Sequence, residues 1–316
     1  MHQASGKSLT GFFLALTTAV LWGMLPIALK VVLTELTANT ITWVRFLVAA
    51  VFVTMVLVNQ KALPKFGKLV GKTRSLLLIA VVGLLSNYIL YLQGLNLLNA
   101  ETAQVVIQLA PFLMMLGGIF IFREHMLLWQ KIGAAVLVFG LLLFFNDRLF
   151  LLLTKVGQDS LGVLLVIVAA ITWATYALAQ KQLLMHFNSQ QIMWFIYVAG
   201  AFCFTPFIDI SPMAQLSLLQ WGLLSFCCLN TIVAYGAFAE ALQHWEASKV
   251  SAVLAITPLL TIFFANLASW LWPAAPIPQA LNGWSVLGAI LVVIGSAVTA
   301  LAPMLKQWRL DRRRLA

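Results

Sequence analysis

Two cations lie in sequence that gives them little company. Between Glu35 and Lys61 the only charged residue is Arg45, and between Lys7 and Glu35 the only one is Lys30. An ionised side chain inside a long apolar run must find a polar partner or a wet cavity. A planar guanidinium suits a carboxylate or another flat anion, and an ammonium suits it as a point charge. The pair therefore reads as a cationic entrance for an anionic group. The plain alternative is pairing with Glu35 or Glu101. Other polar residues share single helical faces. Trp22, Pro26 and Lys30 fall at i, i+4 and i+8, Asn87, Tyr91 and Gly94 at i, i+4 and i+7, and Gln104, Gln108 and Pro111 at the same spacing. These faces, with Tyr88, Tyr176, Tyr235 and Trp173 as aromatic walls, are candidates to line one cavity. Bonding between helices is what such residues otherwise do.

Catalytic chemistry finds no comparable support. Glu240 and His244 stand at i and i+4 and could share a proton or a metal, but no third ligand follows at a recognisable spacing. They read more simply as an interfacial ion pair. Glu124 and His125 are adjacent, so they point about 100° apart on a helix. No Walker A sequence, zinc-binding HExxH or glycine-rich phosphate loop occurs. The reading is a non-enzyme with no cofactor and no metal site. Cys203, Cys227 and Cys228 are odd in number and apolar in setting, so they read as packing residues rather than a disulfide framework.

The elements that hold these residues follow from composition. The chain is 62% hydrophobic and only 9% charged, with mean hydropathy +0.99. A soluble domain carries roughly 25% charged residues, so the lipid bilayer must be the solvent. Spans of about 20 apolar residues fall at 9–33, 40–58, 75–98, 102–122, 128–146, 161–185, 190–208, 217–242, 249–272 and 284–304. Backbone groups in hydrocarbon bond within their own segment, which makes the spans helices, and the short alternating strands of a β-barrel are absent. The fold class is all-α, a polytopic membrane protein of ten transmembrane helices. Lys and Arg concentrate in alternate loops, above all 61–74 and 306–314, which places both termini in the cytoplasm. The net charge of +10 is accounted for by that asymmetry and by lipid headgroups, so nucleic acid is not an expected partner. The first span reads as an uncleaved helix rather than a signal peptide.

The same five-span unit is written twice. Trp22, Lys30 and Trp43 return 151 residues later as Trp173, Lys181 and Trp194. The stretch 100–111 returns at 247–258, making Pro111 and Pro258 repeat mates, and Tyr88 and Tyr235 share that offset of 147. Gly133 and Gly140 return as Gly288 and Gly295, where they favour close helix packing. Five is odd, so the second copy enters the bilayer from the other side, giving two inverted five-helix repeats. The units are 1–148 and 160–304, followed by a basic cytoplasmic tail at 305–316. The proline-rich 273–278 stretch reads as an extended connection. A mid-span proline removes a donor and frees a carbonyl one turn earlier. The carbonyls of Ile107 and Leu254 are thus candidate binding or bending points, with Pro26, Pro111 and Pro258 as gating or kink residues.

These repeated elements resemble the drug/metabolite transporter superfamily, in particular its ten-span EamA-type members. The resemblance covers about residues 10–303. It rests on the 21–30 stretch ending in Lys30, the Arg45-Phe46 pair, Ala110-Pro111, the 122–124 close of the fourth span, Thr257-Pro258 and the duplicated glycine pairs. One departure is that Ile196 stands where the first half has Arg45. The resemblance implies an inner-membrane (plasma-membrane) secondary carrier with a central cavity open alternately to each side. Combined with the residues above, it makes an exporter of small metabolites such as amino acids the leading expectation. Export of drugs or other hydrophobic amphiphiles is the alternative, and a channel is a weaker one. No carboxylate sits at mid-membrane, so exchange, facilitated diffusion and a proton relay through an end residue are all compatible with the sequence. Nothing in it specifies an oligomeric state.

Overall fold

The computed structural model describes residues 8–122, 127–144, 146, 157–244, 250, 253–272 and 282–315. The join near 147–156 and the proline-rich connection at 273–281 lie outside the described residues, as does Glu124. The helices are α1 (Ser8–Val32), α2 (Ala38–Asn59), α3 (Lys72–Leu97), α4 (Ala100–Val106), α5 (Leu109–Phe122), α6 (Leu128–Phe144), α7 (Gln158–Leu183), α8 (Ser189–Phe204), α9 (Leu218–His244), α10 (Thr257–Leu271) and α11 (Gly283–Leu315). Each of the ten expected spans is helical over most of its described part. Among the described residues, five helices are long and apolar enough to cross a bilayer by themselves, and shorter apolar helices fill other spans. Large apolar side chains such as Leu218, Phe202 and Trp270 face outward, as they must where lipid replaces water.

Local signals begin the paired helices. Thr37 caps α2 by accepting from the Thr40 N–H at 3.2 Å. Its repeat mate Asn188 caps α8 by accepting from Gln191 N–H at 2.8 Å, and Gln191 bonds back to close a capping box. Such caps satisfy donors that have no partner within the helix.

The fourth span departs from expectation by breaking in two. α4 ends at Val106, a turn occupies Ile107 and Gln108, and α5 restarts at Leu109. The ninth span breaks in the same way around Ala255 and Ile256, after which α10 starts with Pro258 in its first turn. Each proline thus lies in the first turn of a new helix, where a missing N–H costs nothing. The two carbonyls expected to be free are occupied. Ile107 O accepts from Ala110 N–H at 2.8 Å, and Leu254 O accepts from the Thr257 hydroxyl at 2.6 Å. Pro26 behaves differently again, since α1 runs through it unbroken.

Helix packing follows the repeat. α3 packs on α7 and its mate α9 packs on α1; α5 packs on α7 and α10 on α1; α2 meets α8 and α6 meets α11. Glycines set the α6–α11 contact. A Cβ at Gly140 would lie 2.7 Å from Val292 N, and one at Gly288 would lie 2.7 Å from Gly140 O. Only hydrogen in place of a side chain lets these backbones approach so closely.

Candidate functional site

A cavity of about 110 Å³, taken as the space open to the centre of a water-sized sphere, lies where the broken fourth and ninth spans meet α1, α2, α3, α7 and α9. That is the same order as the ~150 Å³ apolar cavity able to hold a benzene molecule. Its first-half wall comprises Trp22 and Leu25 of α1, Arg45 of α2, and Asn87, Tyr88, Tyr91 and Leu92 of α3. Gln104, Ile107, Gln108, Ala110 and Pro111 complete that wall around the break of the fourth span. The second half supplies Trp173, Tyr235, Leu254 and Thr257.

Arg45 is the charged member of this wall. It is 2% exposed, yet it forms no ion pair with any described carboxylate. Instead its Nε donates to the Thr231 hydroxyl at 2.8 Å, and its guanidinium carbon lies 4.6 Å above the Tyr88 ring centre. Thr231 in turn donates to Cys227 O at 2.9 Å, one turn earlier on α9. The pairing with Glu35 or Glu101 that would have neutralised Arg45 is therefore not made. A neutral hydroxyl and a ring face orient the guanidinium but leave its charge uncompensated, and a buried uncompensated charge is costly.

The aromatic wall is built from repeat mates. The Trp22 and Trp173 ring centres lie 6.4 Å apart at 83°, and those of Tyr88 and Tyr235 lie 5.7 Å apart. Trp22 also meets Tyr235 edge-on at 5.1 Å. Edge-to-face and tilted pairs at such spacings are attractive beyond their buried area. Polar groups punctuate the wall. Tyr91 donates to Gln104 Oε1 at 2.9 Å, and Asn87 Nδ2 donates to Ala169 O at 2.9 Å. Asn87 thus also ties α3 to α7. One buried oxygen on the wall, Gln108 Oε1, has no hydrogen-bond partner.

Four candidate residues stand away from the wall. Lys30 reaches sideways, its Nζ donating to Asn96 O at 3.2 Å, at the end of the bundle shared with Glu101. Tyr176 is fully buried one helical turn beyond Trp173, with its hydroxyl 3.4 Å from Met193 Sδ. Pro26 is buried within α1, and Pro258 is buried in the first turn of α10 beside the cavity residue Thr257. Thr231 was not singled out in the sequence, and Thr257 was noted only as part of the Thr257-Pro258 motif. Thr231 lies four residues before Tyr235 and thus on its face of α9, a spacing that could have flagged it. Thr257 is the repeat mate of Ala110, so the duplication gave no polar signal there. Elsewhere, His244 Nε2 lies 3.2 Å from Glu240 Oε1, and the described residues hold no group of three or more potential metal ligands.

The model of the EamA-like transporter family matches residues 9–146 and 160–301. An uncharacterized transporter of Haemophilus influenzae is 43% identical over 93% of this chain and 96% of its own length. The uncharacterized inner membrane transporter YhbE of Escherichia coli K12 is 41% identical over 95% of this chain and 93% of its own. A probable amino-acid metabolite efflux pump of the same organism is 26% identical, over 89% and 92%. With both halves matched and relatives above 40% identity spanning nearly all of its length, this chain belongs to the EamA-like transporter family.

Proposed function

We propose that this transporter is a secondary carrier of the inner membrane that exports small carboxylate-bearing metabolites, amino acids among them. The observation that carries the reading is Arg45, buried in the cavity wall with its charge uncompensated by any described carboxylate. A substrate carboxylate would supply the missing charge, and in a water-poor cavity such a contact is stronger than at a surface. The 26% identity to a probable amino-acid metabolite efflux pump, over 89% of this chain, supports the same class.

Two inverted halves rocking about this cavity are the proposed mechanism. The reciprocal packing of repeat mates and the odd number of spans in each copy support it. The distribution of Lys and Arg supports cytoplasmic termini, which would place Lys30 and Glu101 at the outer side. The helix breaks at 107–108 and 255–256 border the cavity and are the natural points for movement. The ring of Trp22, Trp173, Tyr88 and Tyr235 favours a second reading, export of hydrophobic amphiphiles.

Counterflow in proteoliposomes tests the proposal, using labelled amino acids, their carboxylate derivatives and a cationic amphiphile. Saturable counterflow of a carboxylate, reduced in Arg45→Ala, is the expected result. Counterflow of the amphiphile alone, insensitive to Arg45→Ala, would replace the first reading with the second. A channel would show no acceleration of efflux by external substrate.

A further inference from the structure

Resting on the carboxylate-carrier reading, we infer that the site prefers net anions to zwitterions: monocarboxylates with an apolar or aromatic body and no free ammonium bind more tightly than amino acids of the same body. A zwitterion brings two charges, and the cavity wall answers only one of them. Arg45 meets the carboxylate, with its Nε already held by Thr231 and its ring-facing side on Tyr88, so the remaining guanidinium nitrogens are what a ligand can reach. For an ammonium, no described acidic side chain lines the cavity. What the wall offers instead is Gln108 Oε1, a neutral acceptor that is buried and unpartnered. Aromatic faces can also attract a cation, but the Tyr88 face is already occupied by Arg45, and Trp22 packs edge-on against both Trp173 and Tyr235.

Charge repulsion sharpens the preference. An α-ammonium held beside a carboxylate on Arg45 lies about 6 Å from the guanidinium, and at an effective dielectric of about 20 that repulsion corresponds to more than tenfold in affinity. A deaminated or N-acylated amino acid avoids it. Its amide or methylene can then use Gln108 as a neutral neighbour, and its body can lie against Trp22 and Trp173.

The test is a matched ligand series on the full-length purified protein, read as the shift of the unfolding midpoint with ligand concentration. One series has a phenyl body: 3-phenylpropionate, N-acetylphenylalanine, phenylalanine and 2-phenylethylamine. The other has an isobutyl body: 4-methylpentanoate, N-acetylleucine, leucine and isopentylamine, so that size alone does not decide. The expected result is that the anions bind about tenfold or more tightly than the zwitterion of the same body, with the amines weakest. Zwitterions binding as well as or better than the anions would overturn the inference while leaving the carboxylate carrier standing. Amines binding best, or no ligand of either series shifting the midpoint, would overturn both. Gln108→Glu adds the missing acid with little change of shape. It is expected to raise zwitterion affinity relative to the anion by about tenfold, and an unchanged ratio would also count against the assignment.

Discussion

At the crossing of α2 and α8 the two halves are treated alike, and two residues along the same helices they are not. Trp43 Nε1 donates to Thr205 at 3.1 Å, and Trp194 Nε1 donates to Thr54 at 2.8 Å. Both partners are related by the repeat offset of 151, so these are one hydrogen bond made twice. Two residues beyond each tryptophan the mates are Arg45, set against Thr231 and Tyr88, and Ile196, fully buried in the apolar core. The α3–α7 and α9–α1 contacts repeat the lesson. Asn87 donates to Ala169 O, whereas the mated contact runs the other way, from Thr18 to Ala234 O at 3.2 Å. Gly83 gives α3 a close approach to Thr172 O, whereas its mate Asn230 donates to Leu21 O at 2.6 Å. The backbone scaffold kept its duplication while the polar chemistry diverged. A pair of symmetric halves can support two equivalent states, but a substrate with one charged end needs a single cation.

The comparison is most exposed to replacing Arg45 by its own mate's residue. Arg45→Ile makes the halves alike at this position and is expected to cut the initial counterflow rate roughly 100-fold, the scale of losing a buried charged contact. A variant keeping more than a third of the rate would remove Arg45 from the site and leave the asymmetry without a purpose. Next in size is the symmetric scaffold itself. Gly288→Leu is expected to destabilise the folded protein by about 1–3 kcal/mol through overpacking against α6, lowering the thermal midpoint. Gly236→Ala, at a position where an added Cβ meets nothing within 4 Å, should leave that midpoint nearly unchanged.

Smaller effects sharpen the contrast further. Thr231→Val removes the hydroxyl that holds Arg45 Nε and is expected to raise KM about tenfold and, by leaving a buried charged donor unpaired, to cost about 1–3 kcal/mol of stability. Thr231→Ser should restore most of it, because the hydroxyl rather than the methyl does the positioning. Smallest are the paired tryptophan bonds. Trp43→Phe and Trp194→Phe should each cost about 0.5–1.5 kcal/mol of stability, by similar amounts. A large inequality between them, measured as unfolding midpoints, would show that the duplicated scaffold is less symmetric than its geometry.

What the chain determined by itself is the kind of molecule and its doubling. Long uncharged runs admit only helices in lipid, because each backbone donor must be satisfied within its own segment, and the fixed offsets of Trp22, Trp43 and Gly133 reveal the copy. Arg45 was conspicuous for the same reason, as a charge where hydrocarbon makes charge expensive. Only the tertiary structure decided which polar faces meet. Lys30 and Arg45 look equivalent in sequence, yet one bonds to a backbone carbonyl beside the bundle end and the other lines the cavity. Pro111 and Pro258 looked like kinks that free carbonyls, and folding turned them into helix starts whose preceding carbonyls are taken. Thr231 shares a helical face with Tyr235, but nothing local marked Arg45, 186 residues away, as its partner. Period and hydropathy are properties of one segment read along its length, whereas a site is set by the rotation and depth of several helices against one another, which depend on packing across the whole bundle.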